Sequence, residues 1–380
     1  MTVTLVLLVA LGLTGCGRTA TWADPDDPVT AETNGEPLSL AISSPKQNAK
    51  NVVTSAEIGL DLKGADKTDV VLTSADGKTV PGALREDGSS WVPGQQLAYG
   101  TAYTVKVTAS NSSGAKLTRT SKFTTMARSG QIMGAGLYLF DGQTVGVGMP
   151  VVVEFTRPVT DRAAVEKRLF VTSEPAVEGT WHWFSDSQVH YRPKDYWAPG
   201  TKLSVRIAIG GFPFGGGWYG KRDRVANDVT VGDDVRLEVD NKTKKMSVLK
   251  GGKVVKSIPV SLGKASSPSS SGNLVIMEKK YEAMFDSSTY GVPVNSSDGY
   301  RTKVHYAIRL TWGGEFLHAA PWSVADQGRR NVSHGCVNMS TENARYVFDN
   351  THIGDPVTVK NTEVHVGKGD GWTGWDMSWD

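Results

Sequence analysis

Trp91-Val92-Pro93, Gly100-Thr101 and Tyr103-Thr104-Val105-Lys106-Val107 return one hundred positions later as Tyr191-Arg192-Pro193, Gly200-Thr201 and Leu203-Ser204-Val205-Arg206-Ile207. Each copy reads as an aromatic residue and a proline, a turn, and a strand whose apolar side chains recur at every second position. Other alternating runs surround the echo: Glu57-Ile58-Gly59-Leu60-Asp61-Leu62, Lys122-Phe123-Thr124 and Val151-Val152-Val153-Glu154-Phe155. Short strands separated by turn residues predict a β-sandwich. The repeat predicts two of them, over residues 37–126 and 127–232.

In architecture both stretches resemble bacterial immunoglobulin-like modules, without the Cys-Trp-Cys core of antibody domains. A third region covers 233–360, with strands expected at Val235–Val239, Lys245–Leu249, Val254–Leu262, Leu274–Glu278 and Lys303–Leu310. Gly251-Gly252 marks a hairpin, and residues 263–273 read as a loop. Ser340 is placed to cap a short helix through about Asp349, and Gly354-Asp355-Pro356 turns into a last strand at Val357–Val359. The fold class is mostly β: two immunoglobulin-like sandwiches followed by a β-rich domain with one short helix. The tail, 361–380, carries Trp372, Trp375 and Trp379, expected to bury their rings against that last domain. A chain of 380 residues suits two or three domains. Its 41 Lys and Arg against 39 Asp and Glu leave a charge of +2, without the basic field that nucleic-acid binding requires.

The two cysteines, Cys16 and Cys336, say more. An apolar run from Val3 to Leu13 is too short to span a bilayer and suits a signal-peptide core. Leu13-Thr14-Gly15-Cys16 resembles a bacterial lipobox, which implies cleavage that leaves a lipidated Cys16 and a protein held by lipid at the outer face of the plasma membrane. Met1-Thr2-Val3-Thr4 carries no Lys or Arg, a departure that leaves room for a start further upstream. An ordinary signal peptide with a coincidental cysteine is the alternative. Residues 17–36 are polar, without periodicity and rich in Asp, Thr and Pro, and are expected to form a flexible tether, a coil about 25 Å across. With Cys16 lipidated, Cys336 has no disulfide partner, and a lone thiol in an oxidising compartment is a liability unless it is used.

The chemistry concentrates in Phe316-Leu317-His318-Ala319-Ala320-Pro321-Trp322 and Ser333-His334-Gly335-Cys336-Val337-Asn338. A thiol attacks as thiolate, and a nearby imidazole can take its proton. His334 is only two residues from Cys336 and poorly placed to point at the sulfur, whereas His318 is far enough along the chain to approach from a neighbouring strand. Gly335 lets the backbone come close, so that amides around Cys336 can aim at a developing oxyanion.

Ser-His-Gly-Cys-Val-Asn, with a histidine eighteen residues before the cysteine, resembles the L,D-transpeptidase (YkuD-like) family over 233–360 and the tail. The two upstream modules and the lipobox resemble its mycobacterial type. The resemblance implies that Cys336 attacks the carbonyl before the terminal D-Ala of a peptidoglycan tetrapeptide stem. An amine of a second stem then resolves the thioester as a 3→3 cross-link. It implies His318 as base, the Ala319 carbonyl as the group orienting it, and the Gly335 and Cys336 amides as oxyanion donors. Relatives can carry Ser at the position of Ala319, a difference the carbonyl tolerates. Ser333, His334 and Asn338 match positions that shape the site, and Tyr300 and Trp322 match substrate-pocket or lid residues. Carbapenems are implied as covalent inhibitors, and no cofactor or metal is called for.

Several competing readings remain. Cys336 as a buried structural thiol is one. Zinc held by His318, His334 and Cys336 is another, with no clear fourth ligand in the sequence. His182, His190, His305, His352 and His365 read as structural or solvated. Ser-x-x-Lys occurs at Ser43, Ser113, Ser247 and Ser261 without Ser-Asp-Asn or Lys-Thr-Gly, which marks a serine transpeptidase motif as chance. An L,D-carboxypeptidase with water as acceptor, or a non-catalytic wall-binding lipoprotein, are the functional alternatives. The anchoring expectation is tested by Cys16→Ala, which should move the protein out of the membrane fraction, since a diacylglyceryl group supplies the two chains that stable attachment needs. Mass spectrometry finding an unmodified Cys16 in the mature protein would refute it.

Overall fold

The computed structural model describes residues 28–31, 37–296 and 299–379. Cys16 and most of the expected tether lie outside these residues. Within the tether, Val29–Ala31 is a strand paired antiparallel with Leu38–Leu40, so that part is ordered at a sheet edge.

Two compact units make up the chain: one within residues 1–126, the other 127–380 together with 53–55 and 95–99. The first is a sandwich of two five-stranded sheets. The second begins with a similar sandwich of two four-stranded sheets, a small three-stranded sheet and a one-turn helix, Arg162–Glu166, that the sequence pattern did not announce. The echo holds at core level. Trp91, Tyr103, Val105 and Val107 are buried in the first sandwich, and Tyr191, Leu203, Val205 and Ile207 in the second. The turns at Gly100 and Gly200 both take positive φ, 60° and 84°.

The last domain builds a six-stranded and a four-stranded sheet. Its strands are β1 (Val235–Asp240), β2 (Lys245–Lys250), β3 (Lys253–Pro259), β4 (Ser270–Val275), β5 (Glu278–Asp286), β6 (Arg301–Arg309), β7 (Phe316–Ala319), β8 (Val337–Met339), β9 (Pro356–Lys360) and, in the tail, β10 (Val364–His365), with helix α1 (Thr341–Asp349) between β8 and β9. The expected β2–β3 hairpin forms around Gly251-Gly252. Ser340 caps α1, its Oγ accepting from the Asn343 N–H at 3.2 Å. Two local expectations were wrong. β4 starts at Ser270, inside the stretch read as loop, because Ser270–Val364 and Ser271–His365 pair with the tail. β5 was missed outright: its Glu-Lys-Lys-Tyr-Glu-Ala-Met-Phe-Asp sequence is mostly charged and has no buried residue, and pairing with β6 alone makes it a strand. The four-stranded sheet runs β5-β6-β7-β8, antiparallel until β7 and β8, which are parallel.

The tail also departs from expectation. Trp372, 1 % exposed, sits in the core of the second sandwich together with Val275 and Met277 of the last domain. Arg192 holds the tail by donating to Gly374 O at 2.9 Å, Met377 O at 3.1 Å and Ser378 O at 3.2 Å. Its guanidinium lies over the rings of Trp375 and Trp379. Trp375 Nε1 donates to Gly148 O at 2.7 Å. The tail thus joins the second sandwich to the last domain rather than packing on the last domain alone. Its position in the echo explains the grip: the residue matching Arg192 in the first sandwich is Val92. Trp372→Ala should cost about 3–5 kcal/mol, measured by denaturant unfolding. A chain starting at residue 127 should unfold in one transition, whereas one starting at 233 should lose stability because it bares the partners of Trp372.

Candidate active site

β7 and β8 place the reactive groups. Their register pairs Leu317 with Val337, His318 with Asn338 and Ala319 with Met339, and Cys336 immediately precedes β8. Side chains of register partners leave a sheet on the same side, so His318 and Asn338 face together, and Cys336, two residues before Asn338, faces with them. Loop hydroxyls fix the approach to β8. Ser333 Oγ donates to Cys336 O at 2.5 Å and accepts from the Gly335 N–H at 3.2 Å, and Ser269 Oγ donates to Gly335 O at 2.6 Å. Gly335 has φ +116°, and a Cβ there would meet nothing closer than 3.7 Å. The glycine is therefore required by backbone conformation, not by the close approach expected from the sequence.

His318 is 4 % exposed and Cys336 7 %. His318 Nδ1 lies 2.9 Å from Ala319 O. A carbonyl only accepts, so Nδ1 carries the proton and Nε2 presents its lone pair. This is the orienting contact expected of Ala319. Burial pulls the imidazole down to about 4, against the opposing pull of the Ala319 carbonyl and Asn338. The same burial pushes the Cys336 thiol up to about 12. In isolation each group is neutral at pH 7.

A cavity of about 180 Å³ opens onto these groups, lined also by Tyr300, Trp322, Ser333 and His334. Every expected side-chain candidate of the site therefore meets in one place. Trp322 is 60 % exposed at its rim, its ring 6.1 Å from that of His318. Tyr300 packs on His334 at 5.2 Å, and His334 Nε2 lies 3.1 Å from Lys264 Nζ. Sequence reasoning missed Phe285, whose ring sits edge-on to His318 at 5.1 Å, because it rides on the unrecognised β5. A larger cavity of about 570 Å³ lies beside the first and shares Phe285 and Tyr300 with it. It is lined by Glu278, Glu282, Arg309 and Gly314. The Cys336 Sγ, in the wall of the first cavity, lies 3.8 Å from the O of Gly314, which lines the second.

Residues 234–359 match the L,D-transpeptidase catalytic domain, and 49–213 match a bacterial Ig domain. The chain is 38% identical over 341 residues to L,D-transpeptidase 2 of Mycobacterium tuberculosis, spanning 89% of this chain and 82% of that protein. It is 34% identical to L,D-transpeptidase 5 of the same species, spanning 92% and 77%. A solved LD transpeptidase, LdtMt1, in complex with imipenem superposes with a TM-score of 0.52 at 38% identity, covering 60% of this chain and 99% of that one.

The raised thiol makes a pH prediction. With its midpoint near 12, the thiolate fraction grows with each step of pH well past the ordinary thiol range. Alkylation of Cys336 by iodoacetamide should therefore be slow at pH 7 and still be climbing at pH 10, read by intact mass. A rate that levels off below pH 8 would contradict the burial reading.

Proposed function

Because the chain belongs to the L,D-transpeptidase family, we propose that it makes 3→3 cross-links between peptidoglycan stem peptides through a thioester on Cys336. The observation that carries this is the pinned His318 tautomer in a shared cavity with a buried, unpaired thiol. The thiol proton passes to Nε2 as Sγ attacks the carbonyl before D-Ala, and Nε2 returns it to the departing D-Ala amine. The amine of a second stem then attacks the thioester and restores the thiol. The Cys336 amide, with that of Gly335 once released from Ser333, is assigned to the oxyanion. Tyr300, Trp322 and His334 line the donor's path. Two neighbouring cavities, one lined by Cys336 and the other by Gly314 beside its sulfur, support a reaction with two substrates, which favours transpeptidation over hydrolysis. Lipid attachment through Cys16 would hold this domain at the outer face of the membrane, within reach of the wall.

Incubation with a tetrapeptide stem tests the proposal. D-Ala release with a cross-linked dimer is expected; release with tripeptide alone would make it a carboxypeptidase, and no release would leave a binding protein. Cys336→Ala should abolish turnover and His318→Ala should lower it about 10²–10⁴-fold. A carbapenem should add one drug mass to the protein, and none to Cys336→Ala.

A further inference from the structure

Asn338 carries an acceptor that the resting site does not use. Its Nδ2 donates to Ser323 Oγ at 3.3 Å. The Ser323 hydroxyl proton is directed to Ala320 O at 3.0 Å, and Gln327 Nε2 donates to the same Oγ at 3.2 Å. Ser323 therefore has no proton left to give, and the end of the carboxamide facing it must be the nitrogen. Asn338, Ser323 and Gln327 are all buried, so this arrangement is locked away from water. The consequence is that Asn338 Oδ1 is buried with no hydrogen-bond partner. It belongs to the residue that stands opposite His318 in the strand register and lines the same cavity.

An orphaned amide oxygen inside a protein requires a reason. Neutral His318 cannot supply a partner, because its only N–H is committed to Ala319 O. Once Nε2 takes a proton it becomes a second donor. We propose that Asn338 is a positioning residue for proton transfer, its Oδ1 accepting a share of the Nε2–H that His318 gains from Cys336. The inference rests on the thioester reading above. In that step the Sγ–H bond breaks and Nε2–H forms. The S–C bond forms as C–N to the leaving amine breaks, and the proton leaves Nε2 for that amine. Asn338 favours the imidazolium without a charge of its own, so the base gains proton affinity without binding a permanent ion pair. The direction agrees with the upward pull of Asn338 on a histidine that burial drives down.

The other groups around the imidazole are accounted for. Cys336 approaches from the segment before β8, and His334 and Tyr300 line the same cavity. Glu315 and Arg309 act on the thiol. β5 contributes the Phe285 ring, and the turn after β7 the Trp322 ring.

The test is single-turnover acylation of Cys336 by a carbapenem, followed by intact mass from pH 3.5 to 9 in the wild type, Asn338→Leu and Asn338→Asp. The acid limb of the rate reports protonation of His318. Asn338→Leu should slow the plateau at least tenfold and move the acid midpoint down; Asn338→Asp should move it up. A structural role alone would slow both variants with the midpoint unchanged, and that result overturns the proposal. If Asn338→Leu does not fold, Ser323→Ala, which frees the carboxamide to turn, is read the same way: a lowered midpoint supports the proposal and an unmoved one overturns it. A wild type that is not acylated at Cys336 overturns the thioester reading itself, which separates the two failures.

Discussion

The parallel pairing of β7 with β8 is the constraint on which the site depends. It sets His318 against Asn338 and leaves Cys336 at the entrance to β8. A slip of one residue would send the imidazole to the opposite side of the sheet, away from the thiol. The register is held from both flanks. Ile308 and Arg309 of β6 pair with Leu317 and Phe316, and Ser261 exchanges both backbone hydrogen bonds with Asn338, at 3.1 and 2.9 Å. Ser261 Oγ further donates to Arg330 O at 2.8 Å and accepts from the Val332 N–H at 3.1 Å, which ties down the segment leading to Cys336.

Burying this pair decides its resting state. Desolvation disfavours a charge on either group: it holds the His318 imidazole low and pushes the Cys336 thiol up. In the mechanism proposed above, the thiolate would form as the carbonyl arrives, when the developing oxyanion and imidazolium compensate each other's charge in a medium that screens them poorly.

Much of this was legible in the sequence, and the parts that were not share a cause. The echo around Trp91 and Tyr191 revealed both sandwiches because period-two burial writes itself into side-chain identity. Ser333 to Asn338 revealed the site because its chemistry needs those residue types. β5 stayed hidden because a strand of Glu, Lys and Tyr with no buried residue is defined by its partner β6, not by its own pattern. Phe285, and with it one wall of the cavity, was hidden by the same fact. The Gln327–Ser323–Asn338 relay was invisible for another reason: it depends on which atom of each polar group is already committed, and that is a property of packing.

The departures from the echo carry function of their own. Arg192 stands where the first sandwich has Val92, and it holds the backbone of the tail. The tail in turn reaches the site: Asp370 Oδ1 accepts the Gly313 N–H at 2.6 Å, and the next residue, Gly314, presents its carbonyl to the Cys336 Sγ at 3.8 Å. Asp376, flanked by Trp375, accepts the Asn273 N–H of β4 at 2.8 Å. Contacts therefore lead from the second sandwich, through Arg192 and the tail that carries Asp370, to the backbone beside the Cys336 sulfur. The second sandwich thus differs from the first in holding the tail, through Arg192, through Trp375 on Gly148 O and through Trp372 in its core, and so becomes part of the scaffold behind the Cys336 sulfur.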